Sequence, residues 1–139
     1  MDNDFLRQAS AAGLTQIALG KLAAGHAGSS DVKSFGERMV TDHTAINVDM
    51  AKLAGSKGKQ LATSSDPDQQ QIISKLGEMT GADFDRAYSD TVVKMDKNAQ
   101  GIYELEATHG EDADIREFAR KTMSTLKEHD SLAGSLPLF

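Results

Sequence analysis

Cysteine is absent from the 139 residues, and with it disulfides, thiolate nucleophiles and every cysteine-based zinc, iron–sulfur or blue-copper site. Tryptophan is also absent, prolines number two, and aromatics make up 5% of an alanine-rich chain, a composition that favours helices over sheet. Positive charge is in short supply: 15 basic residues face 21 acidic ones for a formal charge of −6, with the acids spread along the chain. No basic stripe remains for a phosphate backbone, which excludes nucleic acid and anionic membrane surfaces as expected partners. No apolar run approaches the ~20 residues needed to cross a bilayer. Neither a glycine-rich phosphate loop nor a serine triad with an oxyanion turn can be placed. The start, MDNDFLRQ, lacks the charged and apolar regions of a signal peptide, although a processed exported chain would read the same.

What is present is helical periodicity in a length that suits one domain, residues 1–139. Phe5, Ala9, Ala12, Gln16, Leu19 and Ala23 form one stripe. Val32, Phe35, Met39, Asp42 or His43, Ile46, Met50 and Leu53 form a second. Between them GHAGSSD ends one helix with glycines and caps the next with serine, which makes a hairpin over about 4–56. Phe84, Tyr88, Thr91, Met95, Ala99, Ile102 and Leu105, then Ile115, Phe118, Thr122, Leu126, His129 and Leu132, mark a second hairpin over about 81–134, with THGED as its turn. The connection, about 57–80, opens as a polar loop and carries a short helix that begins at Asp66-Pro67 and ends near Gly77. Thr80-x-x-Asp83 then reads as a capping box.

The two hairpins are similar to each other. An offset of 83 residues maps Leu22 onto Leu105, Ala24 onto Ala107, His26 onto His109, Asp31 onto Asp114, Val32 onto Ile115 and Phe35 onto Phe118 without gaps. Duplication explains this better than shared hairpin chemistry. Two hairpins joined by a long connection predict an all-α, ferritin-like four-helix bundle with a crossover carrying the short extra helix.

Polar residues on the inner stripes need a reason. With ~1.5 Å of rise per residue counted from the hairpin turns, Gln16, His43, Asp96 and His129 lie at about 18, 22, 22 and 27 Å, all near the middle of a bundle about 40 Å long. Two imidazoles, a carboxylate and an amide oxygen at one level could hold a divalent metal such as zinc or iron. The plainer alternative is a buried hydrogen-bond network in which Asp96 accepts from one imidazole. Asp42 and Glu128, each directly before a histidine, are either supporting partners or solvated neighbours. A di-iron oxidase would need more carboxylate, and the single Glu106-x-x-His109 motif reads as a surface glutamate beside a turn histidine. The methionines, at helical spacing, read as core filling. The apolar tail Leu136–Phe139 is expected to pack on the bundle or on a second copy, which would make a homo-oligomer.

The segments MVTDHT, GADFDRAY and LKEHDSLA, in that order between the hairpin signals, resemble the bacterial domain-of-unknown-function family DUF4142 from Phe5 to Ala133. The resemblance implies a ferritin-like bundle in the periplasm or cell envelope, since members are often labelled outer-membrane proteins and carry export signals. It also implies that glutamate usually stands at the place of Gln16 and histidine at that of Asp96, while His43 and His129 match. The expected function is a non-catalytic binding or stress-associated module of unknown ligand. A divalent-metal-binding bundle is the alternative, and a metal-dependent oxidase is a third.

Overall fold

The computed structural model describes residues 1–137. Five helices follow in order: α1 Asp2–His26, α2 Ser30–Ser56, α3 Pro67–Leu76, α4 Gly81–His109 and α5 Ala113–Gly134. Among the described residues there is no strand, only one isolated parallel bridge between Ala27 and Gly81. Local chemistry sets the boundaries. Ser29 caps α2 by accepting from the Val32 amide, and Asp66 forms a full capping box with Gln69 ahead of Pro67. The box expected at Thr80-x-x-Asp83 is not made, because Thr80 accepts no capping bond and the chain instead turns into α4 through Gly81 at φ 64°.

Pairwise contacts give the helix directions. Gly20 lies against Gly36 while Gly13 lies against Asn47, so α1 and α2 are antiparallel. A Cβ on Gly20 would fall 2.6 Å from the Gly36 carbonyl oxygen, and this pair of glycines lets the two backbones approach closely. Phe5 meets Tyr103 and His26 meets Phe84, so α1 and α4 are antiparallel too. Arg38 reaches Glu128 and Lys57 reaches Asp114, which runs α5 against α2. Residues 57–80 therefore travel from the end where Lys57 meets Asp114 to the end where Gly81 meets Ala27, with α3 against α1 and α4 on the way.

The 83-residue offset extends to the clamps that hold the two turns. Asp85, at the start of α4, accepts from the amides of Gly28 and Ser29 at 2.9 and 3.1 Å. Asp2, at the start of α1, accepts from Glu111 and Asp112 at 3.0 Å each. Each carboxylate therefore satisfies two amides at the N-terminal end of a helix that belongs to the other pair, which ties the pairs together at both ends.

The apolar core falls into two clusters. One contains Leu19, Val32, Phe35, Met39, Phe84 and Tyr88; the other contains Phe5, Leu6, Met50, Tyr103, Ile115 and Leu126. Each fully buried side chain of this size contributes roughly 1.5–3 kcal/mol. On every long helix the boundary between the clusters is a polar residue: Gln16 on α1, His43 on α2, Asp96 on α4 and His129 on α5. Leu105, expected on the inner stripe, is instead 51% exposed, and the neighbouring Glu106 takes the inward position. Of the apolar tail, Leu136 rests on the first cluster; Leu138 and Phe139 lie outside the described residues. No described helix is long and apolar enough to cross a membrane.

Candidate functional site

Four residues from four helices meet where the core is interrupted. His43, Asp96 and His129 each offer a ligand atom, and these atoms lie within 4.8 Å of one another. All three are buried, with His129 at 0% exposure and Asp96 at 1%. Gln16, also buried, lines with His43 and Asp96 a small cavity of about 20 Å³. A space of that size holds one water or one ion.

The hydrogen bonds differ from the expected network. Asp96 accepts from neither imidazole: both of its oxygens are buried without a partner, as are Gln16 Oε1, His43 Nε2 and His129 Nδ1. The carboxylate that does serve a histidine is Asp42, whose Oδ2 accepts from His129 Nε2 at 2.8 Å. A carboxylate only accepts, so the ring carries its proton on Nε2 and leaves a lone pair on the buried, unpartnered Nδ1. Asp42 is held in turn by Arg38 Nε at 2.7 Å, and the same guanidinium grips Glu128 at 2.7 Å. Asp42 and Glu128, ambiguous in sequence, are thus the supports of His129.

Electrostatics follows from this geometry. Burial, reinforced by the nearby His129, lowers the His43 imidazole from 6.5 to about 3, so it is neutral and free to donate its lone pair at physiological pH. Burial, helped by the charge of Asp130, pushes the Asp96 carboxyl up from 3.8 to about 7. Burial opposes ionisation of Asp42 as well, but the bonds from His129 and Arg38 outweigh it and hold this carboxyl below its ordinary value. The Tyr88 hydroxyl is buried without a partner, and burial together with the charge of Asp96 raises its pKa.

Buried polar atoms without partners cost about 1–3 kcal/mol per stranded group unless something joins them. Neutral histidine nitrogens, a carboxylate and an amide oxygen suit a borderline cation such as zinc or Fe(II). The chain Arg38–Asp42–His129 is the outer-sphere arrangement that fixes the tautomer and orientation of a metal-ligating histidine.

The chain matches the model of the family described as Domain of unknown function (DUF4142) over residues 1–136. It belongs to the DUF4142 family. Among solved structures this DUF4142 protein is similar to a conserved hypothetical protein, rv2844, from Mycobacterium tuberculosis, at 17% identity and a TM-score of 0.71, with 96% of this chain and 94% of that chain covered. At that identity the likeness concerns the fold alone. No curated protein matches the DUF4142 chain.

A second buried acid escaped the sequence reading. Glu106, expected at the surface, is 1% exposed, and both of its oxygens lack an ordinary donor. Burial, then the adjoining carboxyl of Asp2, pushes it from 4.5 to about 7, which fits a protonated Glu106 donating to the Asp2 carboxylate. A side chain at Gly110 would overlap this carboxyl, so the glycine of the turn makes its room. His109 of the same motif is exposed and stands away from the core cluster. The available signal was the 83-residue offset, which pairs Asp2 with Asp85 and Glu106 with Ala23.

Proposed function

We propose that this DUF4142 protein is a divalent-metal-binding bundle of ferritin-like build, two helical hairpins joined by a crossover, whose single core site is formed by His43, Asp96 and His129 with Gln16 as an amide-oxygen ligand. The observation that carries the reading is the convergence of His43, Asp96 and His129, with His43 Nε2, His129 Nδ1 and both Asp96 oxygens buried and unpartnered, at a histidine already oriented by Asp42. In this reading Asp96, largely protonated below pH 7 without a cation, gives up its proton when the ion binds, so metal uptake releases acid. Two histidines and one carboxylate leave positions for Gln16 and one small exogenous ligand such as water, which matches the about 20 Å³ of free space. The proposed setting, the periplasm or cell envelope, is supported by the family resemblance and is tested by cell fractionation.

Metal analysis of protein purified without a polyhistidine tag tests the site directly. One divalent ion per chain is expected, with a rise in melting temperature on adding zinc that His43→Ala and His129→Ala both abolish. No bound ion and no thermal response in the unmutated protein would overturn the reading. The second reading, a bare polar network, is favoured only by the His129–Asp42 bond, and it predicts destabilisation by the same substitutions with no response to metal.

A further inference from the structure

A groove of about 560 Å³ lies between α1 and α4, closed on one side by α3. Its rim is polar, with Gln8, Asp66, Gln69 and Lys94, and its floor is apolar. Five floor residues, Ala9, Ala12, Met95, Ala99 and Tyr103, are also walls of the cavity that contains Gln16, His43 and Asp96. One layer of side chains therefore separates the groove from the ligand atoms. Three of the five are alanines, which project little, and a fourth is methionine, an unbranched thioether that changes rotamer easily.

The recess described on the opposite face is a poorer route. A recess of about 340 Å³ between α2 and α5 shares only Ile46 with the cavity. It lies on the supported side of the site, where Asp42 holds the back of His129 and Arg38 ties Asp42 to Glu128. A cation approaching there would meet a hydrogen-bonded carboxylate before any free lone pair. From the α1–α4 side it would meet Gln16, His43 and Asp96 first.

We propose that the α1–α4 groove is the port of the core site, through which a divalent cation passes by displacement of Met95 between the small residues Ala9, Ala12 and Ala99. Met95 is the gate, because it is the one long, flexible, half-buried side chain in that floor, whereas Tyr103 is held by ring contacts to Phe5 and Phe118. The groove supplies passage, and the ligands supply affinity. Changes in its floor therefore alter the rate of metal uptake and leave the final occupancy alone.

This inference rests on the metal reading above, and the experiment separates the two. Apo protein is mixed with Co²⁺ in a stopped-flow instrument, and uptake is followed by ligand-field absorption, with occupancy measured after equilibration. Ala12→Leu with Ala99→Leu, which thickens the floor, is expected to slow uptake several-fold at unchanged occupancy. Met95→Ala, which opens it without adding volume, is expected to accelerate uptake, so the test stands even where the double variant folds poorly. Ala45→Leu in the α2–α5 recess should leave the rate unchanged. Full occupancy with the same rate in Met95→Ala as in the unmutated protein would overturn the port, as would slowing by Ala45→Leu instead. No Co²⁺ uptake by the unmutated protein would overturn the metal reading itself, and the port with it.

Discussion

Replacing Asp96 by asparagine should reverse the order of stability according to whether metal is present. Asp96 is 1% exposed, neither oxygen has a partner, and its carboxyl sits at about 7 instead of 3.8. A displacement of that size disfavours the ionised form in the folded apo protein by about 4 kcal/mol. The sign follows from linkage: the folded pKa is raised, so the associated stability is complete below the ordinary value and is lost as pH rises through about 7. Asparagine removes the charge but leaves a buried amide worth a penalty of about 1–3 kcal/mol. At pH 8 the apo Asp96→Asn protein should therefore be more stable by about 1–3 kcal/mol, a gain of about 3 °C in melting temperature per kcal/mol for a chain of this length. At pH 5 the carboxyl penalty shrinks to about 2 kcal/mol, the amide cost offsets it, and the difference should vanish. Zinc at a hundredfold excess over its dissociation constant adds about 2.7 kcal/mol to the unmutated protein. The variant, lacking the anionic ligand, should gain far less. Differential scanning calorimetry of both proteins at pH 5 and 8, with chelator and with zinc, measures all of this. An apo variant less stable than its parent at pH 8, or an equal zinc response in both, would refute the reasoning.

Glu106→Gln should flatten a pH dependence at the other end of the bundle. Because the Glu106 carboxyl is raised from 4.5 to about 7, its contribution is complete below pH 4.5 and lost toward 7, so urea midpoints of the two proteins should diverge over that window; parallel curves would count against a buried acid pair with Asp2. Asp85→Ala strands the amides of Gly28 and Ser29 and should cost about 1–3 kcal/mol by the same denaturation assay, whereas a loss below a few tenths would show that water replaces the clamp. Arg38→Ala frees Asp42 and should weaken zinc binding about tenfold in a chelator competition while leaving helix content by circular dichroism intact; unchanged affinity would remove Arg38 from the support of His129.

Helix positions and the level of the site were legible in the linear chain, because both depend only on local periodicity and a fixed rise per residue. Counting from the turns brought Gln16, His43, Asp96 and His129 to one height, and the described packing places all four at the break between the two apolar clusters. Facing was harder, for a physical reason. Adjacent helical residues differ by about 100° in direction, so a stripe read from sequence is uncertain by one position until the neighbouring helices are placed. That uncertainty is what separated Leu105 from Glu106, and it left Asp42 ambiguous beside His43. The hydrogen-bond assignments, too, belong to tertiary structure. Only when α2 and α5 lie side by side does Asp42, 87 residues away in the chain, become the partner of His129 and leave Asp96 with neither imidazole. The turn clamps divide in the same way: the 83-residue offset relates Asp2 to Asp85 in the sequence, but that each carboxylate grips the turn of the other helix pair is decided by which helix ends pack together. Periodicity carries information along one chain axis, whereas partners distant in sequence are chosen by how whole helices pack.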